Sequence, residues 1–169
     1  MKNLYVMRHA KSDRSNPHWL DVERPLTERG RNDAARIGKF LKKSKIEIQS
    51  VISSPAVRAK ETSIYLCDAL GLQADILEEE LLYSNNYSEV IEGIRRIENK
   101  FDNVLIIGHN PSFTDIFSRL CSDNFADLKL PTAGVYSISF NATTWENAML
   151  QGGCLNWFII PKLLRGIKK

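Results

Sequence analysis

Two histidines and two arginines stand out by the residues around them. His9 follows Arg8 directly in Arg8-His9-Ala10. Arg58 lies in Ser54-Pro55-Ala56-Val57-Arg58-Ala59, with Glu61-Thr62 just beyond, and His109 lies in Gly108-His109-Asn110-Pro111. A neutral imidazole nitrogen can attack phosphorus, and a histidine that accepts a phosphoryl group splits one hard displacement into two easier ones. The moving group carries its charge on three equatorial oxygens, so the residues around it must position and neutralise it. Arg8 and Arg58 offer planar, permanently charged forks that can each grip two of those oxygens. His109, if protonated, adds a third cationic donor. The chemistry this set suits is phosphoryl transfer through His9, with Arg8, His9, Arg58 and His109 holding the phosphate. It requires no metal and no cofactor, and no carboxylate or histidine cluster suggests a metal site.

These side chains act together only if the fold gathers them. Residues 3–7 form a short apolar run of strand formers that ends at Arg8-His9. Thr27 reads as an N-cap, and a helix follows to about Lys43, with Ala34, Ile37, Phe40 and Leu41 on one face. Residues 50–53 read as a second strand. Pro55 sits where the next helix would begin, and Gly71 reads as its C-cap. Residues 74–77 read as a third strand and 88–100 as a third helix. The almost uniformly apolar 103–107 reads as a strand covered on both faces, followed by a helix over 112–121. Residues 134–140 and 149–160 read as two strands paired as a hairpin.

Strands alternating with helices predict an α/β fold: a three-layer sandwich whose mostly parallel central sheet has helices on both faces. Ligands in such folds bind beyond the carboxyl ends of the strands. Arg8-His9, Ser53-Ser54 and Gly108-His109 each fall at such an end, and a helix starting near Pro55 would point backbone amides at an anion.

Composition narrows the classes. A chain of 169 residues fits a single domain, 1–169, with a proper core, and its 43% hydrophobic and 25% charged residues are ordinary for a globular protein. A net charge of +3, spread along the chain, gives no case for nucleic-acid binding. Lys162, Arg165, Lys168 and Lys169 form the densest basic patch and read as a solvated tail. Arg8 and His9 interrupt the apolar stretch near the start, and no segment approaches the roughly 20 apolar residues that a membrane span needs. Cys67, Cys121 and Cys154 have neither metal nor redox spacing and read as reduced core thiols of a cytoplasmic protein. Trp19, Trp145 and Trp157 read as packing, and His18 as structural or solvated.

In ordered agreement, these motifs resemble the histidine phosphatase superfamily, also called phosphoglycerate mutase-like, and within it the small SixA-like phosphohistidine phosphatase group. Arg8-His9-Ala10 is similar to the superfamily's Arg-His-Gly, with Ala10 replacing glycine. Arg24-Pro25-Leu26-Thr27-Glu28-Arg29-Gly30 resembles its Arg-Pro-Leu-Thr-x-x-Gly segment. Residues 54–62 resemble Ser-Pro-x-x-Arg-Ala-x-x-Thr, and Gly108-His109-Asn110-Pro111 supplies the second histidine. The resemblance implies a phosphatase that works through a phosphohistidine on His9. Its partner would be a phosphohistidine-bearing protein (a phosphotransfer domain or phosphotransferase-system component) or a small phosphorylated metabolite. Two alternatives stay open: a small-molecule phosphomonoesterase of the same superfamily, and a phosphate-binding module without turnover.

One departure bears on substrate. Related phosphomonoesterases carry a glutamate general acid after the third strand, in a Leu-x-Glu pattern. Aligned on Leu81, that position here is Tyr83, with Glu78, Glu79 and Glu80 just upstream, and strand parity could bring Glu80 to the site. An alkoxide leaving group needs a proton donor, whereas imidazole, with a pKa of about 6.5, needs far less help. Larger relatives also place a helical lid between the positions of Tyr83 and Val104, where this chain has room for one helix. Both features point to an open site and a protein phosphohistidine substrate.

Overall fold

The computed structural model describes residues 1–73, 75–121 and 129–165. Six strands form one sheet: β1 Lys2–Arg8, β2 Ser50–Ser53, β3 Ile76–Glu78, β4 Asn103–Gly108, β5 Val135–Phe140 and β6 Cys154–Ile159. Their order is β3-β2-β4-β1-β5-β6. The first four run parallel, while β5 and β6 are antiparallel additions beside β1. The helices are α1 Glu28–Lys43, α2 Val57–Leu70, α3 Tyr87–Arg95, α4 Ser112–Leu120, α5 Trp145–Gln151 and α6 Pro161–Leu164.

Strand periodicity divides the core in two, because successive side chains point to opposite faces of a sheet. Leu4 and Val6 of β1, with Val104 and Ile106 of β4, join Val90, Ile94, Phe113 and Trp145 on one face. Tyr5 and Met7, with Leu105 and Ile107, join Ala34, Ile37, Leu41 and Leu66 on the other. The result is the expected three-layer sandwich, with α1 and α2 on one side of the sheet and α3, α4 and α5 on the other.

Helix ends follow their capping residues. Thr27 Oγ1 accepts the Gly30 N–H at 3.0 Å to open α1, and Gly71, at φ 79°, closes α2 in the left-handed conformation that favours glycine. Gly30 also lies where a Cβ would collide with the Lys11 carbonyl oxygen, so the helix start packs directly on the segment after His9.

Several expectations need correction. The strand expected over 149–160 starts only at Cys154, because Thr144 caps a helix by accepting the Asn147 N–H, and Trp145, Ala148 and Met149 bury its face at helical spacing. β5 and β6 still pair antiparallel, though not as a tight hairpin. The third helix ends at Arg95 rather than near Lys100. The third strand covers Ile76–Glu78, and Ala74 lies outside the described residues. Of the cysteines, Cys67 is buried, Cys121 is half-buried against the core and Cys154 is exposed, so Cys154 is not the core thiol expected. In the basic tail, Arg165 is anchored on Asp33 at 2.8 and 3.1 Å; Lys168 and Lys169 lie outside the described residues.

Candidate functional site

The parallel register sets the site. Arg8, the last residue of β1, pairs with Gly108, the last of β4, and Ser53 at the end of β2 pairs with Ile107. The next residues out continue the ladder: His9 N–H donates to the Gly108 carbonyl at 2.9 Å, and Ser54 N–H to that of Ile107 at 2.9 Å. His9 and His109 therefore leave adjacent strand ends side by side, with ring centroids 4.9 Å apart. Gly108, just before His109, lets other groups pack on the strand end: a Cβ there would meet Phe113 at 2.6 Å and the Leu82 carbonyl at 2.8 Å. Arg58, in the first turn of α2, reaches both rings. Its Nε donates to His9 Nε2 and its Nη2 to His109 Nδ1, each at 3.3 Å.

These contacts fix both tautomers. The Ala10 carbonyl can only accept, so His9 Nδ1 carries the hydrogen, at 2.7 Å, and Nε2 keeps its lone pair, which accepts from Arg58 Nε beside the cleft. His109 accepts from Arg58 on Nδ1, so its Nε2–H donates to Ser54 Oγ at 2.8 Å. Both rings are held neutral. Burial pushes His9 down to about 3, helped by the charges of Arg58, Arg8 and Arg24 and opposed by the Ala10 hydrogen bond. Burial likewise pushes His109 down to about 3, with His9 and Arg58 adding to it. His109, a third cationic donor only if protonated, is therefore neutral as the site stands.

Other motif residues brace the four that gather at the cleft. Thr62 Oγ1 accepts the Ala10 N–H at 3.0 Å and donates to the Arg58 carbonyl at 2.6 Å, tying the strand end that holds His9 to the helix that holds Arg58. Glu61 accepts the Leu26 N–H at 2.6 Å and so anchors the loop carrying Arg24. Ala10 is fully buried with no positive φ, so its substitution for glycine brings no backbone strain. Arg8 donates to the Leu130 carbonyl at 3.0 Å, while its buried Nε has no hydrogen-bond partner among the described residues, leaving a donor for an oxyanion.

A cleft of about 380 Å³ opens over this group, lined by Arg8, His9, Arg58 and His109 together with Arg14, Asp21, Arg24, Tyr83, Asn85 and Asn110. Arg24 forms an ion pair with Asp21 at the rim. Glu80 is exposed at the start of a 3-10 turn and does not line the cleft. Tyr83, from the same turn, does, its ring edge-on to His109 with centroids 5.3 Å apart. Strand parity fails as a guide because the chain leaves β3 at Glu78 and turns before reaching Tyr83.

Asp21 was not singled out by sequence. It opens a 3-10 turn, Asp21–Glu23, and its Oδ2 accepts from Arg58 Nη2 at 2.8 Å and from the Tyr83 hydroxyl at 2.9 Å. Partial burial raises its carboxyl, but Tyr83, Arg58 and Arg24 outweigh that and hold it below the ordinary range. The one available signal was its position three residues before Arg24. Among the described residues, no group of three or more His, Cys, Asp or Glu side chains is placed to hold a metal, and no helix is long and apolar enough to cross a membrane.

Comparison with known proteins gives a consistent picture. Residues 4–82 match the family model of the histidine phosphatase superfamily (branch 1). An uncharacterised protein of Mycobacterium leprae is 31% identical over 166 residues, covering 92% of this chain and 100% of its own length. The phosphohistidine phosphatase SixA of Escherichia coli is 27% identical over 168 residues, covering 98% of each chain. The structure of the protein histidine phosphatase SixA complexed with tungstate superposes with a TM-score of 0.80 at 24% identity, over 96% of this chain and 99% of that one.

Proposed function

We propose that this chain, which belongs to the histidine phosphatase superfamily and is a phosphatase, works without a metal and takes protein phosphohistidine as its substrate. In this reading His9 Nε2 attacks phosphorus, the P–N bond to the substrate imidazole breaks, and its electron pair stays on that ring. Arg8 and Arg58 grip the equatorial oxygens, and His109 faces the same group from the neighbouring strand end. Water then attacks the phosphohistidine on His9, inorganic phosphate leaves, and Nε2 regains its lone pair. Burial keeps His9 neutral, and the turn of Arg58 onto the phosphoryl oxygens would free the Nε2 lone pair that now accepts from its Nε.

The observation that carries the substrate choice is Tyr83. It lines the cleft where the resemblance places a glutamate, while Glu80 is exposed outside it. The carboxylate that does face the cleft, Asp21, is held ionised by Arg58, Arg24 and Tyr83 and is a poor proton donor. An alcohol leaving group is handicapped by this arrangement; an imidazole is not. Between Tyr83 and β4 the chain forms only α3, packed against α4 and α5, which supports an open cleft accessible to another protein's surface. SixA, similar along nearly the whole chain, is a phosphohistidine phosphatase. We also place the enzyme in the cytoplasm, acting as one domain, on the support of its unpaired thiols and single sheet.

The test presents wild type and His9→Ala with a phosphohistidine-bearing phosphotransfer protein and with a panel of small phosphomonoesters. Loss of protein phosphate with wild type alone, a trapped phosphoenzyme on His9 and little action on the panel are expected. Faster turnover of a small ester would move the assignment to metabolite phosphatases. No turnover and no phosphoenzyme on either substrate would leave a phosphate-binding module.

A further inference from the structure

We propose that Asp21 is a specificity-determining residue: its carboxylate sits on the face of Arg58 that a phosphoryl group must take, so that every substrate has to displace it. Arg58 is almost fully engaged. Its Nε meets His9, its Nη1 donates to the Asp21 main-chain oxygen, and its Nη2 donates to the Asp21 carboxylate at 2.8 Å and to His109 at 3.3 Å. The carboxylate itself receives what an oxyanion would receive there. Arg58 and the Tyr83 hydroxyl donate to Oδ2, and Arg24 pairs with Oδ1. Two guanidinium groups and a phenol thus converge on one anion beside two histidines.

Polar contacts rather than packing hold this anion in place. The Asp21 side chain is 56% exposed, and the turn that carries it buries no residue. It can therefore yield to a competitor, at the cost of the contacts above. A small ester offers little besides its phosphate to offset that cost. A phosphoryl group on a protein arrives with further contacts outside the cleft, next to the turn, where Leu20 is 66% exposed. The same competition would speed release of inorganic phosphate. This selectivity rests on the phosphohistidine reading; the competition between Asp21 and phosphate does not.

The test titrates inorganic phosphate and tungstate into wild type, Asp21→Asn and Tyr83→Phe, with thermal unfolding as a check on folding. Since Asp21 is 56% exposed although Arg58 is buried, Asp21→Asn should tighten oxyanion binding about fivefold, and Tyr83→Phe, which removes one contact to Asp21, should act in the same direction by less. With Asp21→Asn, KM for small esters should fall and kcat/KM rise, while the phosphoprotein changes less than the esters do. Unchanged or weaker oxyanion binding in Asp21→Asn overturns the proposal. So does a rate loss confined to esters with poor leaving groups, which would make Asp21 a proton donor instead. Because the titration involves no turnover and no phosphohistidine, its result stands apart from the identity of the physiological substrate.

Discussion

Lowering the pH should destabilise this protein through the two buried histidines of the cleft. His9 and His109 are 8% and 5% exposed, and each pKa falls from 6.5 to about 3 in the folded chain. Below pH 6.5 the unfolded chain therefore binds protons that the folded chain refuses, and stability falls as pH falls, down to about pH 3. At pH 5 each histidine lies about 1.5 pH units below its unfolded pKa, a loss of about 2 kcal/mol apiece and about 4 kcal/mol together. Mutual repulsion does not alter that sum, since neither ring is protonated in the fold at pH 5. Asp13, Asp21 and Asp102, all lowered from 3.8, lose their stabilising effect only at lower pH, so the window above pH 5 belongs to the histidines. Urea unfolding at pH 7.5 and 5.0 should show wild type losing about 4 kcal/mol more than His9→Gln/His109→Gln, with each single variant removing about half the difference. Equal losses in wild type and the double variant would refute the neutral, buried state of these rings, and with it the account of His9 as a ready nucleophile.

Two further outcomes test the scaffold and the assignment of acids. Thr62→Val keeps the shape but leaves the buried Ala10 N–H without its acceptor, so stability in urea should drop by about 1–3 kcal/mol, and kcat/KM should fall as His9 and Arg58 lose their common brace. Glu80→Gln should leave kcat/KM unchanged on esters and phosphoprotein alike, because the side chain is exposed outside the cleft; a loss of about 100-fold or more on esters would show a general acid at work.

What sequence disclosed depended on how local the signal was. β1 and β4 announce themselves because strands buried on both faces must be apolar throughout, and the polar residues that end them, Arg8-His9 and His109, mark the carboxyl edge. Thr27 and Gly71 signal their caps through side-chain chemistry and backbone freedom that act within a few residues. α5 escaped because its short apolar run merges with that of β6, and only Thr144 distinguishes them. Asp21 escaped for a different reason. Its partners Arg58 and Tyr83 lie 37 and 62 residues away, and no local pattern encodes a contact made across a cleft. Thr62 was visible as a motif position, but its job of joining Ala10 to Arg58 emerges only when strand end and helix meet.

The neutral His109 and the cationic donor it becomes if protonated are two states of one electrostatic arrangement. Burial, His9 and Arg58 press the ring toward neutrality, whereas the charge of Asp21 opposes them. A phosphoryl group entering on Arg8 and Arg58 brings up to two negative charges within reach of both rings, more than Asp21 supplies, and reverses the sign of the local field. His109 would then gain its proton in the presence of the substrate's charge and lose it again with phosphate release. His9, whose lone pair is consumed in the bond to phosphorus, has no such option while the phosphoenzyme lasts. In the proposed reading, two histidines of nearly identical burial would divide into nucleophile and conditional cation, and their hydrogen bonds present different nitrogens to the cleft. Ala10 takes the Nδ1–H of His9 and leaves Nε2 facing Arg58 Nε, whereas Ser54 takes the Nε2–H of His109 and leaves Nδ1 facing Arg58 Nη2, so the two rings meet the same guanidinium through different nitrogens.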